Sequence, residues 1–255
     1  MSHFLQNLQI IEPDWPAPLS VKALTTTCNG GVSTGPYSTL NLGDHVGDVE
    51  SSVLTNRKRL AQLLPSEPCW LKQVHGIEVV PADGRFQGQA ADASFTREIN
   101  HVSCVMTADC LPVLFCNTKG TQVAAAHAGW RGLLDGVLEA TLNTFDEGDQ
   151  IMAWLGPAIG PDAFEVGPEV KTSFVEKDSN AQSAFKTSPL NQGKYLADLY
   201  ELARQRLKKC GVTKIYGGQY CTYLDKDTSG AFRFFSYRRE GVTGRLASCI
   251  WIEQP

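Results

Sequence analysis

Four short segments combine groups that can do chemistry. They are Lys72-Gln-Val-His75-Gly76, Met106-Thr-Ala-Asp109-Cys110, Ala126-His127-Ala-Gly129-Trp-Arg131-Gly132 and Phe235-Ser-Tyr-Arg238-Arg239. Each follows an apolar run, and polar groups at the ends of buried elements stand on a rigid scaffold, where function gathers. Taken together, His75, Cys110 and His127 offer two imidazoles and a thiolate. That donor set suits zinc, and three protein ligands with one open position is the catalytic arrangement. Each residue also has a plainer reading. Cys110 can be a small buried hydrophobe, the common fate of a free cysteine, and either histidine can simply be hydrogen-bonded at a strand end. Cys104 and Cys116 lie inside apolar runs and read as core.

The segment from His127 to Gly132 carries a second signal. A strand ends there, glycines stand on either side of Arg131, and a helix begins. Backbone N–H groups at a helix start attract anions, and Arg131 adds a planar donor suited to phosphate or carboxylate. Alternatively, Gly129 and Gly132 only permit a tight strand-to-helix turn. The segment matches neither G-x-G-x-x-G nor G-x-x-x-x-G-K-[ST], so it is not a nucleotide fingerprint.

These groups must be positioned by a mixed set of elements. Residues 1–20 carry three prolines and read as an irregular lead-in to a single domain over 21–255. Val21–Thr27 reads as a strand. Val49, Val53, Leu60 and Leu64 share one helical face, with Asp48 as the cap and Pro65 as the stop. Strand-like runs follow at 69–74, 77–80, 102–106, 111–116 and 121–126, then a helix over about 133–145. A strand at 151–155 precedes helices near 168–176 and 194–210, the second ended by Gly211. Runs at 214–216, 232–237 and 246–252 close the chain as strands.

Composition sets the outer bounds. The chain has 255 residues, 42% apolar and 20% charged, with a formal net charge of −4 and no run of five basic residues. That disfavours a broad duplex-binding face, so nucleic acid is not an expected partner. No segment approaches the ~20 apolar residues of a membrane span, and Met1–Trp15 lacks the pattern of a signal peptide. The eight cysteines then read as reduced thiols in a cytoplasm. The absence of any C-x-x-C pair argues against a structural zinc ribbon. Oligomeric state stays open.

The blocks Asn41-Leu-Gly-Asp-His-Val-Gly-Asp48, Gln73-Val-His75-Gly76, Thr107-Ala-Asp-Cys-Leu-Pro-Val-Leu114, Ala124–Gly132 and Phe234-Phe-Ser-Tyr-Arg-Arg239 resemble the YfiH family. It is also called the laccase-domain or multicopper polyphenol oxidoreductase family. The resemblance runs from about Val21 to Ile252. It implies an α+β fold, a sandwich of two mixed sheets flanked by helices in α/β/β/α order, with zinc on His75, Cys110 and His127. It further implies phosphorolysis of adenosine, inosine and methylthioadenosine, deamination of adenosine, and purine nucleosides and phosphate as the small-molecule partners. Zinc held this way would activate water for attack at C6 of adenosine. The usual zinc-deaminase signature is absent, so the proton must pass through another group. Asp109 is the nearest candidate, or else a turn cap. Asn41 and Arg57 lie in or near family-like blocks and are candidates for ribose or phosphate. Asn41 can equally close its own turn, and Arg57, like Arg238 and Arg239, can be a solvated side chain.

Three rival chemistries remain beside this one. Some family members are described as cell-wall precursor hydrolases that edit peptidoglycan. A metal-free cysteine hydrolase would use Cys110 as nucleophile with His75 or His127 as base. A copper-dependent polyphenol oxidase is disfavoured, because multicopper chemistry needs many imidazoles. The chain has five histidines and no His-x-His pair. Copper is expected only as an adventitious metal, since N/S sites bind Cu²⁺ more tightly than Zn²⁺.

Overall fold

The computed structural model describes residues 8–254; Met1–Asn7, with His3, and Pro255 lie outside the described residues. In chain order the first elements are β1 (Ile10–Ile11), β2 (Val21–Thr26), α1 (Glu50–Ala61), β3 (Val79–Pro81), β4 (Ala93–Thr96) and β5 (Ser103–Thr107). The central part holds β6 (Leu111–Asn117), β7 (Val123–Ala128), α2 (Trp130–Asp135), α3 (Val137–Leu142) and β8 (Ile151–Leu155). There follow β9 (Glu165–Val166), α4 (Pro168–Lys177), β10 (Phe185–Thr187), β11 (Tyr195–Ala197), α5 (Leu199–Lys209), β12 (Lys214–Gly217), α6 (Tyr237–Glu240) and β13 (Leu246–Ile252).

Two main sheets result. One has the order β1-β2-β13-β5 and the other β12-β8-β6-β7-β4-β3; a small third sheet joins β10-β11-β9. Only the six-stranded sheet is mixed, with β3 parallel to β4 and β12 parallel to β8. The four-stranded sheet is antiparallel throughout.

Strand periodicity explains the layering. Successive side chains on a strand point to opposite faces. In β5 and β13, Cys104, Met106, Ala247, Cys249 and Trp251 pack with Leu60 of α1. Their neighbours Val105, Leu246, Ile250 and Ile252 face inward, against Leu114 and Cys116 of β6 and Met152 and Trp154 of β8. The alternate residues of the larger sheet, Val113, Phe115, Ala124, Ala126, Ala153 and Leu155, pack under α2 to α5. The order is therefore α/β/β/α, as the resemblance implies. Both faces of β6 and β7 are covered, which is why these strands read as continuous apolar runs. Among the described residues no helix is long and apolar enough to cross a membrane.

Several local expectations are corrected. The lead-in is not wholly irregular, because Ile10 and Ile11 pair with Thr26 and Thr25. Asp48 does not cap α1. Val49 is the N-cap, and the Asp48 carboxylate accepts from Ser33 Oγ and Asn41 Nδ2. The helix expected over 133–145 is broken in two by Gly136, which takes φ 118°, a conformation that costs glycine nothing and other residues much. The run at 69–74 makes isolated bridges at Cys69 and Lys72 and no strand. The run at 232–237 is not a strand either. Phe234 and Phe235 are buried between the sheets, and Ser236 caps the short α6 by accepting from the Arg239 N–H.

Candidate metal centre

Strand register brings the chemistry together. β6 and β7 pair with Pro112 opposite His127 and Leu111 opposite Ala128, so Cys110, one residue before β6, meets Gly129 at the same end of the sheet. β4 pairs with β7 with Ala93 opposite Ala126, which sets Asp92 against His127. The loop carrying His75 leads into β3 at that same edge. As a result the ligand-type atoms of His75, Cys110 and His127 all lie within 4.8 Å of one another. His75 Nε2 is 3.7 Å from Cys110 Sγ, and the two imidazole rings meet edge to face with centroids 4.8 Å apart.

Asp92 organises this cluster, and sequence reasoning missed it. Its side chain is fully buried. Oδ1 accepts from the His75 backbone N–H at 2.9 Å and from His127 Nδ1 at 2.8 Å. Oδ2 accepts from the backbone N–H groups of Gly76 at 2.7 Å and Val74 at 3.1 Å. Three successive N–H groups thus form a nest around one carboxylate, which requires His75 to adopt φ 61°. Asp109 has φ 92°, so two left-handed non-glycine residues flank the cluster, and such backbone persists where the surroundings over-determine it. A lone acid in the small apolar run Ala90-Ala-Asp-Ala93 was the available signal, since a buried carboxylate needs several donors.

The electrostatics are mutual. Burial alone would raise the Asp92 pKa, but the bonds from His127 and from the Gly76 and Val74 N–H groups hold it below the ordinary carboxylate range. Burial likewise pushes the Cys110 thiol up, yet the charge and hydrogen bond of His127, then those of His75, bring it down to about 6. For His127, burial favours the neutral ring, but the Cys110 thiolate and Asp92 prevail and raise it to about 9. Because ionised Asp92 can only accept, His127 Nδ1 must donate, leaving Nε2 for a metal.

Room at the cluster comes from glycine. A Cβ on Gly129 would stand 2.7 Å from His75 Cδ2 and 3.0 Å from Cys110 Sγ. One on Gly132 would stand 2.9 Å from the Gly76 carbonyl oxygen. The glycine pair around Arg131 therefore serves close approach. The triad lines a cleft of about 430 Å³, together with Gln73, Met106, His45, Tyr237 and Arg245.

The other sequence candidates are placed differently. Arg131 is exposed, stacks over the Trp130 ring with a 4.3 Å separation, and does not line the cleft. The Asp109 carboxylate is occupied, accepting from Thr222 Oγ1 and from the Arg238 backbone N–H, each at 2.6 Å. Asn41 is fully buried. Its side chain closes its own turn with Gly43 and accepts from the Arg245 N–H, so the local-bond reading describes it. Arg57 is not solvated. Its guanidinium donates to the Leu42 carbonyl, pairs with Asp44 and lies over Trp70. Arg238 and Arg239 donate to main-chain carbonyls of Glu165, Thr222, Tyr223 and Phe234. His45 and Arg245, on loops, and Tyr237, at the start of α6, carried no spacing signal, because they lie far from the triad in sequence and reach the cleft only in the fold.

A family model described as multi-copper polyphenol oxidoreductase laccase matches residues 22–253. The chain belongs to that family. The purine nucleoside phosphorylase YfiH of Escherichia coli K12 is 54% identical over 249 residues, covering 96% of this chain and 99% of that protein. A purine nucleoside phosphorylase of Pseudomonas aeruginosa is 52% identical over 244 residues, covering 95% and 98%. A crystal structure of a Neisseria meningitidis protein superposes with a TM-score of 0.88 at 49% identity, covering 96% of this chain and 99% of that one. Multicopper chemistry needs several imidazole-rich centres. Among the described residues a single His/Cys cluster could hold a metal. His45 contacts Asp44 and His101 the Ala82 carbonyl.

Proposed function

We propose that this protein is a zinc-dependent purine nucleoside phosphorylase of the cytoplasm, cleaving adenosine, inosine and methylthioadenosine with phosphate and also deaminating adenosine. The observation that carries the reading is the convergence of His75, Cys110 and His127 on one cleft in a chain about half identical to proteins named for that activity. The nitrogen and sulfur donor set fits zinc better than a hard cation, and one mixed cluster fits it better than multicopper chemistry. Zinc on these three residues would supply a Lewis acid facing the cleft. Eight free thiols accord with a reducing compartment.

The chain's own residues do the rest. Asp92 fixes the His127 ring and its proton at Nδ1, so that Nε2 presents a lone pair. Asp109 acts as a positioning residue, tying the turn before Cys110 to Thr222 and to the start of α6. Tyr237, 59% exposed at the cleft, offers an aromatic face to a purine. In phosphorolysis a phosphate oxygen bonds to C1′ of the ribose while the C1′–N9 bond breaks; the electron pair leaves with the purine, which takes up a proton. The products are free base and ribose 1-phosphate. Protein of measured metal content incubated with inosine and phosphate should yield hypoxanthine and ribose 1-phosphate in equal amounts. Hypoxanthine formed equally fast without phosphate, or none at all, would refute the reading.

One observation favours a second reading. Cys110, His127 and Asp92 also stand in the order nucleophile, base and orienter of a cysteine hydrolase. Such an enzyme, of the kind that could act on a cell-wall precursor, would keep its activity after chelation, whereas the zinc reading requires its loss.

A further inference from the structure

The sequence pointed to Arg131 for phosphate, and the structure turns that side chain, with Arg57, Arg238 and Arg239, toward other partners. The arginine that lines the cleft is a different one. Arg245 precedes β13 and lines the cleft that holds the triad. Its stem is fixed, since a Cβ on Gly43 would stand 2.7 Å from its Cγ and its backbone N–H donates to Asn41 Oδ1 at 2.9 Å. Its head is fixed at one corner, where Nη1 donates to the carbonyls of Thr243 at 3.1 Å and Gly244 at 3.0 Å. Nε and Nη2 have no partner among the described residues, and no carboxylate there forms an ion pair with it.

Arg245 is half-buried, and a cation partly withdrawn from water without a counter-charge favours a paired anion. Burial favours loss of the Arg245 charge, and Cys110 and Asp109 offset that in part from a distance. The free edge of the guanidinium is a planar two-pronged donor, the shape that matches the oxygens of phosphate. It is also pre-organised, because two main-chain carbonyls already restrain its rotation.

We infer that Arg245 is the phosphate-binding residue of the cleft, holding inorganic phosphate on its Nε/Nη2 edge. This rests on the phosphorylase reading for the identity of the anion, but not for the presence of an anion site. The position gives Asn41 a part as well: by accepting from the Arg245 N–H it places the arginine, although it does not itself line the cleft.

The test is direct binding of inorganic phosphate to the metal-loaded protein by calorimetry, with KM values for phosphate and inosine measured alongside. Arg245→Gln should weaken phosphate binding and raise the phosphate KM about ten- to a hundredfold, the loss of a charge-assisted two-pronged contact. The inosine KM and the metal content should stay within about twofold, on the expectation that separated contacts act independently. Arg245→Lys keeps the charge and loses the fork, so it should fall between the two and serves if the glutamine variant does not fold. Unchanged phosphate affinity in a folded variant overturns the inference, as does an equal rise in both KM values. If the wild type binds phosphate through Arg245 yet cleaves no nucleoside, the phosphorylase reading fails and the anion site stands. If it cleaves inosine and the variant's phosphate KM is unmoved, the reverse holds.

Discussion

Replacing Asp92 with asparagine tests the whole construction of the metal centre with an almost isosteric change. The carboxylate accepts two hydrogen bonds on each oxygen, from His75 N–H and His127 Nδ1 on one and from Gly76 and Val74 N–H on the other. An amide has one acceptor oxygen, so its NH₂ must face two donors whichever way it turns. One bond or two to a buried charged group are lost, depending on which way the amide turns, at ~1.5–3 kcal/mol each, or about 1.5–6 kcal/mol of stability. If the NH₂ turns toward His127, it donates to Nδ1 and drives the ring proton to Nε2, the nitrogen required for the metal. If it turns the other way, the nest around His75 opens. Either route should weaken metal affinity about ten- to a hundredfold, the usual cost of losing a partner behind a ligating histidine. Competition of the purified protein against a chromogenic chelator measures the affinity, and thermal unfolding of the metal-free form measures the stability. Asp92→Asn protein that holds metal as tightly as wild type and melts at the same temperature would show that the buried carboxylate neither orients His127 nor supports the loop.

Three further outcomes are expected. Cys110→Ala should purify with almost no zinc and almost no activity, while Cys104→Ala, buried against Cys249, should keep both; elemental analysis and the inosine assay decide, and the opposite pattern would mean the ligand is misassigned. Arg131→Ala should leave the phosphate KM within about twofold and stability within ~0.5 kcal/mol, as for exposed positions generally, so a large rise in that KM would restore the sequence expectation against the structural one. Zinc binding to the metal-free protein near pH 7.5 should release about one proton from the Cys110–His127 pair. The sign follows from the two shifts: Cys110, lowered to about 6, is already thiolate, whereas His127, raised to about 9, still carries the proton that the metal displaces. That release should fall away as pH rises past about 9, and pH-indicator titration would expose two protons, or none, at neutral pH.

The sequence alone determined the donor types and most of the scaffold. Ile151–Leu155 is apolar at every position, and Leu246–Ile252 at all but Ser248, because both faces are covered, and their bounds can be read from composition alone. His75, Cys110 and His127 stood out because imidazole and thiol at the ends of such runs are chemically specific wherever the chain takes them. What the sequence could not supply is register. Asp92 meets His127 only because Ala93 pairs with Ala126, and a slip of one residue would send every side chain of β4 to the other face. Arginine was the weakest guide for the same reason. Its long stem lets neighbours in sequence serve opposite ends of the molecule. Arg131, one turn from the centre, stacks on Trp130, while Arg245, more than a hundred residues from the triad, is brought into the cleft because β13 lies in the sheet that faces β6 and its leading loop packs on Asn41 and Gly43.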